Sequence, residues 1–366
     1  MSKKKIIISN YDDIKNPDYA GGGAVVIHKV AKYLSKKYCV TLITGKYPGS
    51  KDEIVEGVKY QRIGSYVFGG KIGHLFYLFV LPFETLRQKC DLWIDSFTPP
   101  FSVSLVPIFL GKSRVIGMVH MLSGKDMKRK YKLPFDIVER LGLKLYKHFI
   151  VLTEQSKYEI LRSNPNADIK VIPNGIDIPS KKYLYSKKIK QILFLGRLEV
   201  DQKGLDLLLK VYSKVSESMD IKLVIAGTGT TDNLEKLHKL IMQSSLKEKI
   251  SLAGRVCGKE KYRLLRESSI VVVPSRFETF SLTALEALAN KTVLFTFDID
   301  GFKWIPENVA VKTKCFNTDE MADKIIKLLH RPSVRKKYED SGYIYTRKYS
   351  WKNIFSMYID VIKDLI

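Results

Sequence analysis

Glu278 and Glu286 are separated by seven residues in a stretch that follows the apolar run Ile270–Val273. Ser281, between the two glutamates, can cap the N-terminus of a helix, whose first-turn amides would then attract an anion. A carboxylate beside an anion costs energy unless it has its own partner. We therefore expect both glutamates to bind neutral hydroxyl groups of a sugar or ribose. The alternative is that Glu286 only favours the helix and that Glu278 lies in a turn.

Two cations follow an earlier apolar run. Arg197 lies just beyond Ile192–Leu195, and Lys203 precedes a helix predicted over Leu205–Glu217. An arginine fork and a lysine that converge at the end of a strand suit a diphosphate. Each charge-assisted contact shielded from water contributes about 1.5–3 kcal/mol. The alternative is that both side chains are solvated surface charges.

Glycines and a histidine mark the ends of apolar runs in the first half of the chain. Gly21, Gly22 and Gly23 lie between the first apolar run and a helix predicted over Ala24–Lys37. Glycine lets the backbone approach a phosphate, although this loop is also explained as a tight connection. His120 ends another apolar run. A lone histidine is more often structural, but this strand-end position favours a functional role.

Short apolar runs alternate with amphipathic segments of helical period in two series, separated by a lysine-rich polar stretch at 180–190. This alternation is typical of a parallel sheet covered by helices on both faces. We therefore predict an α/β fold with two doubly wound domains, 1–180 and 186–349, in which ligands bind beyond the carboxyl ends of the strands. The predicted strands are Ile6–Ser9, Val40–Thr44, Asp91–Ile94, Val115–Val119, Phe149–Leu152, Ile169–Ile172, Ile192–Leu195, Leu223–Ala226, Ile250–Ala253, Ile270–Val273 and Val293–Thr296.

The order and spacing of these motifs resemble those of a family 4 retaining glycosyltransferase. The resemblance covers almost the whole chain and implies the GT-B fold, in which two Rossmann-like domains face each other across a cleft. It also implies that a C-terminal helix, 350–366, returns to the first domain. The matching motifs are the glycine loop, Gly196-Arg197-Leu198 with Lys203-Gly204, Ala226-Gly227-Thr228-Gly229, Ala253-Gly254-Arg255-Val256, and Glu278 with Glu286.

The resemblance implies a role for each site residue in moving a sugar from a nucleotide diphosphate to an acceptor. His120 and Glu278 take the catalytic positions: His120 contacts the donor sugar near the reacting carbon, and Glu278 binds the hydroxyls of that sugar. Glu286 binds the ribose. The diphosphate is implied to contact Gly22, Gly23, Arg197 and Lys203. The base is implied to border the backbone of Arg255 and Val256, and the sugar and phosphates to meet the amides of Phe280, Ser281 and Leu282. Gly227 is a further implied donor contact.

The same resemblance implies retention at the anomeric carbon and no cofactor or metal ion. The donor phosphate would accept the proton of the acceptor, while cations and helix amides stabilise the leaving diphosphate. Asp298-Ile299-Asp300 has the form of a metal-binding D-x-D tripeptide, but we interpret it as a loop after a strand. Thr279 and Ser281 replace the glycines of the E-G-F-G loop of the family, which bears on the donor sugar rather than on the reaction class.

Composition favours anionic partners. The net charge of +24 suits nucleotides, anionic lipid headgroups or nucleic acid, but the chain has no recognisable nucleic-acid motif, and we expect no nucleic-acid partner. Four scattered cysteines are typical of a reduced, cytoplasmic protein. Ile6–Ile8 is too short for the core of a signal peptide, and Leu75–Phe83 has about half the length that a membrane-spanning helix needs.

The acceptor is expected to be a glycan or a lipid-linked molecule. Residues 112–147 contain ten basic residues and interleaved apolar ones, against Asp126, Asp136 and Glu139. This pattern suits an anionic membrane surface, at which each nearby cation contributes about 1 kcal/mol, and hence a peripheral place at the inner face of the membrane. A packed helix with a solvated basic face explains the pattern equally well. The apolar residues are Leu133, Phe135, Ile137, Val138 and Leu141.

Two other classes of protein remain as alternatives. A nucleotide-sugar epimerase shares the scaffold and cleaves the donor without an acceptor, but such enzymes usually carry other acid–base residues than the Glu278 and Glu286 pair. A nucleic-acid binder is motivated by the charge alone and leaves the strand-end motifs unexplained.

Overall fold

The chain folds into two compact units, each built on a largely parallel sheet. The computed structural model describes residues 3–17, 20–67, 69–98, 103–180, 187–244 and 246–366. Unit 1 comprises Met1–Gly175 and Lys352–Ile366, and unit 2 comprises Ile176–Trp351. The predicted fold class, α/β with two Rossmann-like doubly wound sheets, is confirmed.

The strands of unit 1 are β1 (Lys5–Ser9), β2 (Cys39–Gly45), β3 (Glu53–Val55), β4 (Val58–Ile63), β5 (Leu92–Phe97), β6 (Val115–Val119), β7 (His148–Val151) and β8 (Asp168–Val171). In the described residues they form one sheet in the order β3-β4-β2-β1-β5-β6-β7-β8. Neighbouring strands are parallel except β3 and β4, which pair as an antiparallel ribbon. The helices are α1 (Gly22–Ser35), α2 (Gly69–Arg87), α3 (Val106–Leu110), α4 (Gly124–Tyr131), α5 (Phe135–Leu143) and α6 (Glu154–Ser163).

The strands of unit 2 are β9 (Ile189–Leu195), β10 (Lys222–Ala226), β11 (Ile250–Gly254), β12 (Ser268–Val273), β13 (Val293–Phe297) and β14 (Val311–Thr313). Their order is β11-β10-β9-β12-β13-β14, and every pair is parallel. The helices are α7 (Val200–Lys203), α8 (Leu205–Ser218), α9 (Thr231–Met242), α10 (Gly258–Glu267), α11 (Leu282–Ala289), α12 (Thr318–Leu329) and α13 (Pro332–Thr346). The last helix, α14 (Trp351–Lys363), belongs to unit 1 from Lys352 onward.

The central strands are buried on both faces, which explains their continuous apolar sequences. Ile6, Ile7 and Ile8 of β1 are fully buried, as are Ile270, Val271 and Val272 of β12. Such strands bury apolar side chains on alternate sides against helices that cover each face of the sheet. In unit 1, α14 adds to this packing, because the ring of Phe355 stacks on that of Tyr33 of α1 at 4.0 Å.

Strand order reverses at one place in each sheet. In unit 1 the chain runs outward from β1 through β2 to β4 and then returns to place β5 on the other side of β1. In unit 2 it runs from β9 to β11 and returns to place β12 beside β9. The loops that follow the two strands at such a reversal diverge and leave a crevice at the carboxyl edge, where doubly wound proteins bind their ligands. We therefore expect ligand-binding residues in the loops that follow β9 and β12, and in those that follow β1 and β5.

Some local predictions differ from the structure. Helix α1 begins at Gly22, two residues before the predicted start, so Gly22 and Gly23 form its first turn and Gly21 caps it. Strands β3, β4 and β14 were not predicted. No helix in the described ranges is long and apolar enough to cross a bilayer.

Candidate active site

The loop after β9 and the loop after β12 are packed together in unit 2. Gly204 has a left-handed backbone, with φ of 68°, and a Cβ at this position would overlap the carbonyl oxygen of Pro274. Only glycine fits both the backbone and the close approach. The backbone NH of Arg276 donates to the carbonyl oxygen of Gln202 at 2.9 Å. These contacts hold Lys203 against the segment that carries Glu278.

Lys203 and Glu278 form an ion pair at the reversal of strand order. The Nζ of Lys203 lies 2.7 Å from Oε1 of Glu278, and the Ser275 hydroxyl donates to the same oxygen at 2.8 Å. The side chains of the lysine and the glutamate are only 18% and 10% exposed, so water screens the pair weakly. Lys203 is thus the partner that the carboxylate of Glu278 needs beside an anion site. The same lysine was expected from the sequence to bind phosphate.

Helix α11 begins beside this pair. Ser281 caps it, as predicted, and its hydroxyl accepts a hydrogen bond from the NH of Ala284 at 3.3 Å. The Thr283 hydroxyl donates to the carbonyl oxygen of Leu195 at 3.0 Å, which ties the first turn to the end of β9. Phe280 is buried and stacks on Trp304 with ring centroids 4.3 Å apart. The backbone of Phe280, Ser281 and Leu282 is therefore held at the carboxyl edge of the sheet.

The substitution of serine for a family glycine at position 281 is explained by this cap. The Ser281 side chain is 5% exposed and its hydroxyl is engaged within α11. From the sequence, we expect this residue to affect which donor sugar the site accepts. The capping contact directs the Ser281 hydroxyl to the NH of Ala284, so the hydroxyl already has a partner within α11.

A second pair of opposite charges surrounds Glu286. The Nζ of Lys261, on α10, lies 2.6 Å from Oε1 of Glu286, with side-chain exposures of 23% and 15%. Burial alone lowers the pKa of Lys261, but the charge of Glu286 and its hydrogen bond, with a smaller effect of Asp177, raise that pKa above its ordinary value. Lys261 therefore carries a full charge at neutral pH. Lys261 could not be recognised in the sequence, because a contact across 25 residues leaves no local signal.

Arg197 lies on the rim of this site. Its side chain is 60% exposed and its Nη2 contacts the carboxylate of Glu199 at 3.1 Å and the amide oxygen of Gln202 at 3.0 Å. Gln202 is the neighbour of Lys203 in α7, so the arginine and the lysine share one short segment. An exposed guanidinium held by two weakly buried partners can be turned toward another anion at little cost.

Gly227, Arg255 and Val256 belong to the loops after β10 and β11. The NH of Gly227 donates to the carbonyl oxygen of Gly254 at 2.7 Å, and its φ is 148°. A Cβ at Gly227 would overlap the carbonyl oxygen of Gly196, so packing of adjacent loops suffices to require glycine here. Arg255 is exposed, whereas the Val256 side chain is buried in the core with Val273. Only the backbone of residue 256 remains available to a ligand.

In unit 1, Gly22, Gly23 and His120 lie at the carboxyl edge of the sheet. A Cβ built at Gly23 meets no described atom within 4 Å, so packing does not explain the glycine there. His120 follows β6, and its Nε2 is shielded from solvent with no hydrogen-bond partner among the described residues. Burial lowers the pKa of His120 to about 4. The imidazole is therefore neutral at physiological pH, and its Nε2 has no partner in the part of the chain that the structure describes.

A network of hydroxyl, amide and carboxyl side chains, not recognised in the sequence, lies at the ends of β1 and β5 and in the loops that follow them. The hydroxyls of Ser96 and Thr98 donate to Oδ1 of Asn10 at 2.9 and 3.3 Å. Below it, the hydroxyls of Ser9 and Ser104 each donate to Asp95 at 2.6 Å. Their positions just beyond predicted strands could have marked Asn10 and Thr98 as candidate site residues. Their residue types alone do not indicate a site.

The Asp298-Ile299-Asp300 tripeptide contacts lysines. Asp300 lies 2.6 Å from Lys303 in a short 3-10 turn, and Asp298 lies 3.9 Å from Lys312. Across the described ranges, no group of three or more His, Cys, Asp and Glu side chains is placed to hold a metal ion.

Family models match the chain in tandem. The model described as Glycosyltransferase Family 4 matches residues 20–179, and the model described as Glycosyl transferases group 1 matches residues 176–344. The chain belongs to the group 1, family 4 glycosyltransferases. The second match contains every unit 2 residue discussed above, and the first contains Gly22, Gly23 and His120.

Proteins similar to this glycosyltransferase include a mannosyltransferase and a sucrose-phosphate synthase. Phosphatidyl-myo-inositol mannosyltransferase of Mycobacterium tuberculosis is 27% identical over 212 residues, which are 54% of this chain and 55% of that protein. The chain thus spans little more than half the length of such curated relatives. Sucrose-phosphate synthase of Thermosynechococcus elongatus superposes with a TM-score of 0.80 at 16% identity, over 99% of both chains. Anabaena HepE, solved with UDP and glucose, gives a TM-score of 0.74 at 13% identity over 99% of both chains. These likenesses establish the GT-B fold.

Proposed function

We propose that this glycosyltransferase transfers a sugar from a nucleotide diphosphate to a glycan or lipid-linked acceptor, with retention at the anomeric carbon and without a metal ion. The observation that supports it best is the Lys203–Glu278 pair beside the N-terminus of α11. A cation and free helix amides attract a diphosphate, while a carboxylate beside them suits the hydroxyls of the attached sugar.

The Lys203–Glu278 ion pair is the state without a donor, and a bound donor would add its own contacts to both side chains. An ammonium group has three N–H donors, and Lys203 uses one on Glu278 in the structure. A diphosphate could take the others without breaking the pair, and Arg197 could turn to the same anion. The free oxygen of Glu278 would then accept from a sugar hydroxyl. The backbone of Phe280, Ser281 and Leu282 would supply amide donors for the developing charge.

The nucleoside would lie toward the second pair. Glu286 would accept from the ribose, with Lys261 holding the carboxylate in place, and the backbone at Arg255 and Val256 would border the base. The roles of Gly22, Gly23 and His120 stay predictions from the family resemblance. A neutral His120 with one unpartnered nitrogen can exchange hydrogen bonds with a hydroxyl but carries no charge to a phosphate.

Retention is proposed to proceed on one face of the sugar. The bond between the anomeric carbon and the phosphate oxygen breaks, the acceptor oxygen bonds to the same face, and the acceptor proton passes to the departing phosphate. The protein then contributes mainly preorganised charge, from Arg197, Lys203 and α11, that stabilises the leaving diphosphate. These groups can supply the positive charge that a metal ion would otherwise provide.

A lipid-linked acceptor is favoured over a free glycan by the surface of α4 and α5. Leu133, Ile137, Val138 and Leu141 are 43–57% exposed there. The acidic residues of this segment have partners within it: Glu139 accepts from two backbone NH groups at 2.9 Å, Asp136 pairs with Lys128 at 2.8 Å, and Asp126 pairs with Arg129 at 2.6 Å. The similar mycobacterial enzyme is named for a phospholipid acceptor. Exposed apolar and basic groups on one surface suit an anionic membrane.

The proposal is tested by incubating the protein with UDP- and GDP-sugars and with detergent-dispersed polyprenyl-phosphate-linked acceptors, with and without EDTA. We expect release of nucleoside diphosphate together with a product whose anomeric configuration, read by NMR, equals that of the donor. An inverted product would contradict retention, and loss of activity with EDTA would contradict metal independence. An isomerised sugar without transfer would instead identify an epimerase, and no turnover with any donor would refute the proposal.

A further inference from the structure

Helix α2 of unit 1 is apolar on two opposite faces. Its inner face packs Tyr77 and Leu81 into the core, where they are 2% and 0% exposed. Its outer face presents Phe79, Phe83 and Leu86, which are 70%, 48% and 70% exposed. Ile72 and Leu75 continue this outer stripe at spacings of three and four residues, which places all five side chains on one side of a helix. A surface helix normally turns a polar face to water.

Helix α3 extends this apolar surface. It packs against α2 and exposes Ile108 and Phe109 to 60% and 46%, while Leu105, just before it, is 51% exposed. We call the outer side chains of α2 and α3 together the α2–α3 face. The face was not recognised in the sequence, because the Leu75–Phe83 stretch reads as one continuous apolar run that has no visible exposed side.

The exposed charged residues that follow the two helices of the α2–α3 face along the chain are positive. Arg87 and Lys89 follow the outer stripe of α2, and Lys112 and Arg114 follow α3, all exposed to solvent. Glu84 is the only acidic residue between 69 and 90 and is 3% exposed. It accepts hydrogen bonds from Gln61 and Gln88 at 2.9 and 3.1 Å and pairs at 3.3 Å with Arg87, whose side chain is still 74% exposed. No acidic residue occurs between 103 and 114. An apolar stripe with a basic rim matches the interface of an anionic bilayer.

We propose that the α2–α3 face inserts into the headgroup and upper acyl layer of an anionic membrane, with α2 parallel to the surface. No described helix can span a bilayer, so the contact is interfacial. A second copy of the chain is a poorer occupant. A twofold contact through this face would bring the basic rims of two copies together, in a protein of net charge +24. The inference rests on the proposed function and deepens it, since it names the surface by which the enzyme reaches a lipid-linked acceptor.

The test compares the full chain with two double variants by sedimentation with phosphatidylcholine vesicles that contain or lack phosphatidylglycerol. Phe79→Ser with Phe83→Ser removes two exposed rings from α2. Ile344→Ser with Met242→Ser is the matched control, because these side chains on unit 2 are 66% and 65% exposed. We expect the wild type and the control to bind anionic vesicles at low salt. The α2 variant should bind roughly tenfold or more weakly, because two apolar anchors are lost.

A second measurement reports insertion directly. Phe79→Trp should show blue-shifted fluorescence and quenching by lipids brominated in the acyl chain when anionic vesicles are added. Ile344→Trp should show neither change beyond that of the wild type, whose own tryptophans provide the baseline. If the Phe79→Trp variant bound vesicles but its added fluorescence were neither shifted nor quenched, the inference would be overturned.

Three further outcomes would overturn it. They are no vesicle binding by the wild type, equal binding by the α2 variant, and a wild-type dimer in vesicle-free sedimentation velocity that the α2 substitutions dissociate. Failure of this inference is distinguishable from failure of the proposed function. Stabilisation of the protein by UDP or GDP reports the donor site alone, and it should be the same in the wild type and both double variants.

Discussion

The carboxyl edges of the two sheets carry different chemistry. In unit 2 they carry charges in pairs, Lys203 with Glu278 and Lys261 with Glu286, both weakly exposed. In unit 1 the edge beside the strand reversal carries the amide and hydroxyls around Asn10, and a histidine that is neutral at physiological pH follows β6. The Arg62–Asp13 ion pair at the same edge is 1% and 0% exposed, so it is closed to a ligand. A partly buried cation needs an anion as its partner, and the phosphate of a ligand can replace the carboxylate in that role. The difference supports our proposal that unit 2 binds the anionic donor, and it predicts that the edge of unit 1 contacts neutral hydroxyls.

The largest effect should come from exchanging the charges of the first pair. Lys203→Glu with Glu278→Lys keeps an ion pair at the same place but replaces the cation that we propose to bind phosphate with an anion. We expect turnover to fall by about 100-fold or more, because a preorganised charge at the leaving group is lost. The measurement is the steady-state rate with whichever UDP- or GDP-sugar the wild type turns over. If the pair were only structural, the exchanged protein would keep near wild-type turnover.

Single substitutions at this pair should reduce turnover by at least about tenfold, for Lys203→Ala and for Glu278→Gln, while the protein stays folded. Lys236→Ala provides the matched control, since Lys236 forms a 2.8 Å ion pair with Asp201 on the surface of the same unit. Turnover of the control should equal that of the wild type. Wild-type rates in both site variants would remove Lys203 and Glu278 from the site.

A smaller effect is expected at the second pair. Glu286→Gln weakens acceptance from the ribose hydroxyls, and Lys261→Ala releases the carboxylate that Lys261 holds. Both should raise the KM for the donor by about tenfold, the value of one charge-assisted hydrogen bond, with little change in kcat. A deoxyribose analogue of the nucleotide should bind the wild type and Glu286→Gln equally well. If the analogue still distinguished them, Glu286 would not be the ribose contact.

The smallest effect concerns His120 and the pH dependence of stability. The ordinary histidine pKa is 6.5, and in the folded protein that of His120 is about 4, so the unfolded state binds more protons between these values. Stability from this residue is fully present above 6.5 and is lost as the pH falls toward 4. Chemical unfolding of His120→Gln should therefore lose less stability than the wild type over this window. If the two proteins lost the same amount of stability over this window, the neutral state of His120 in the folded protein would be contradicted.

Much of the fold was predictable because the central strands are buried on both faces. Their uninterrupted apolar runs, such as Ile6–Ser9 and Ile270–Val273, needed no tertiary information. The missed strand β4 alternates instead, and its Arg62 is buried through an ion pair with Asp13 at 2.9 Å. A charged residue in an alternating, partly exposed strand gives a weak signal until its distant partner is known.

The candidate site was predictable to the extent that it lies at strand ends. Arg197, Lys203 and Glu278 follow apolar runs directly, and the Ser281 cap follows from residue type and position. The pairing of Lys203 with Glu278 and of Lys261 with Glu286 was not predictable. These contacts join residues 75 and 25 positions apart, and they depend on the order of strands in the sheet.

The most direct test is a crystal of the protein soaked with UDP or GDP, in which the diphosphate is located by its electron density. We expect its oxygens within hydrogen-bonding distance of Nζ of Lys203 and of the first amides of α11, with the ribose beside Glu286. A diphosphate bound at full occupancy elsewhere, away from Lys203 and α11, would contradict the central claim that the reversal of strand order in unit 2 is the donor site.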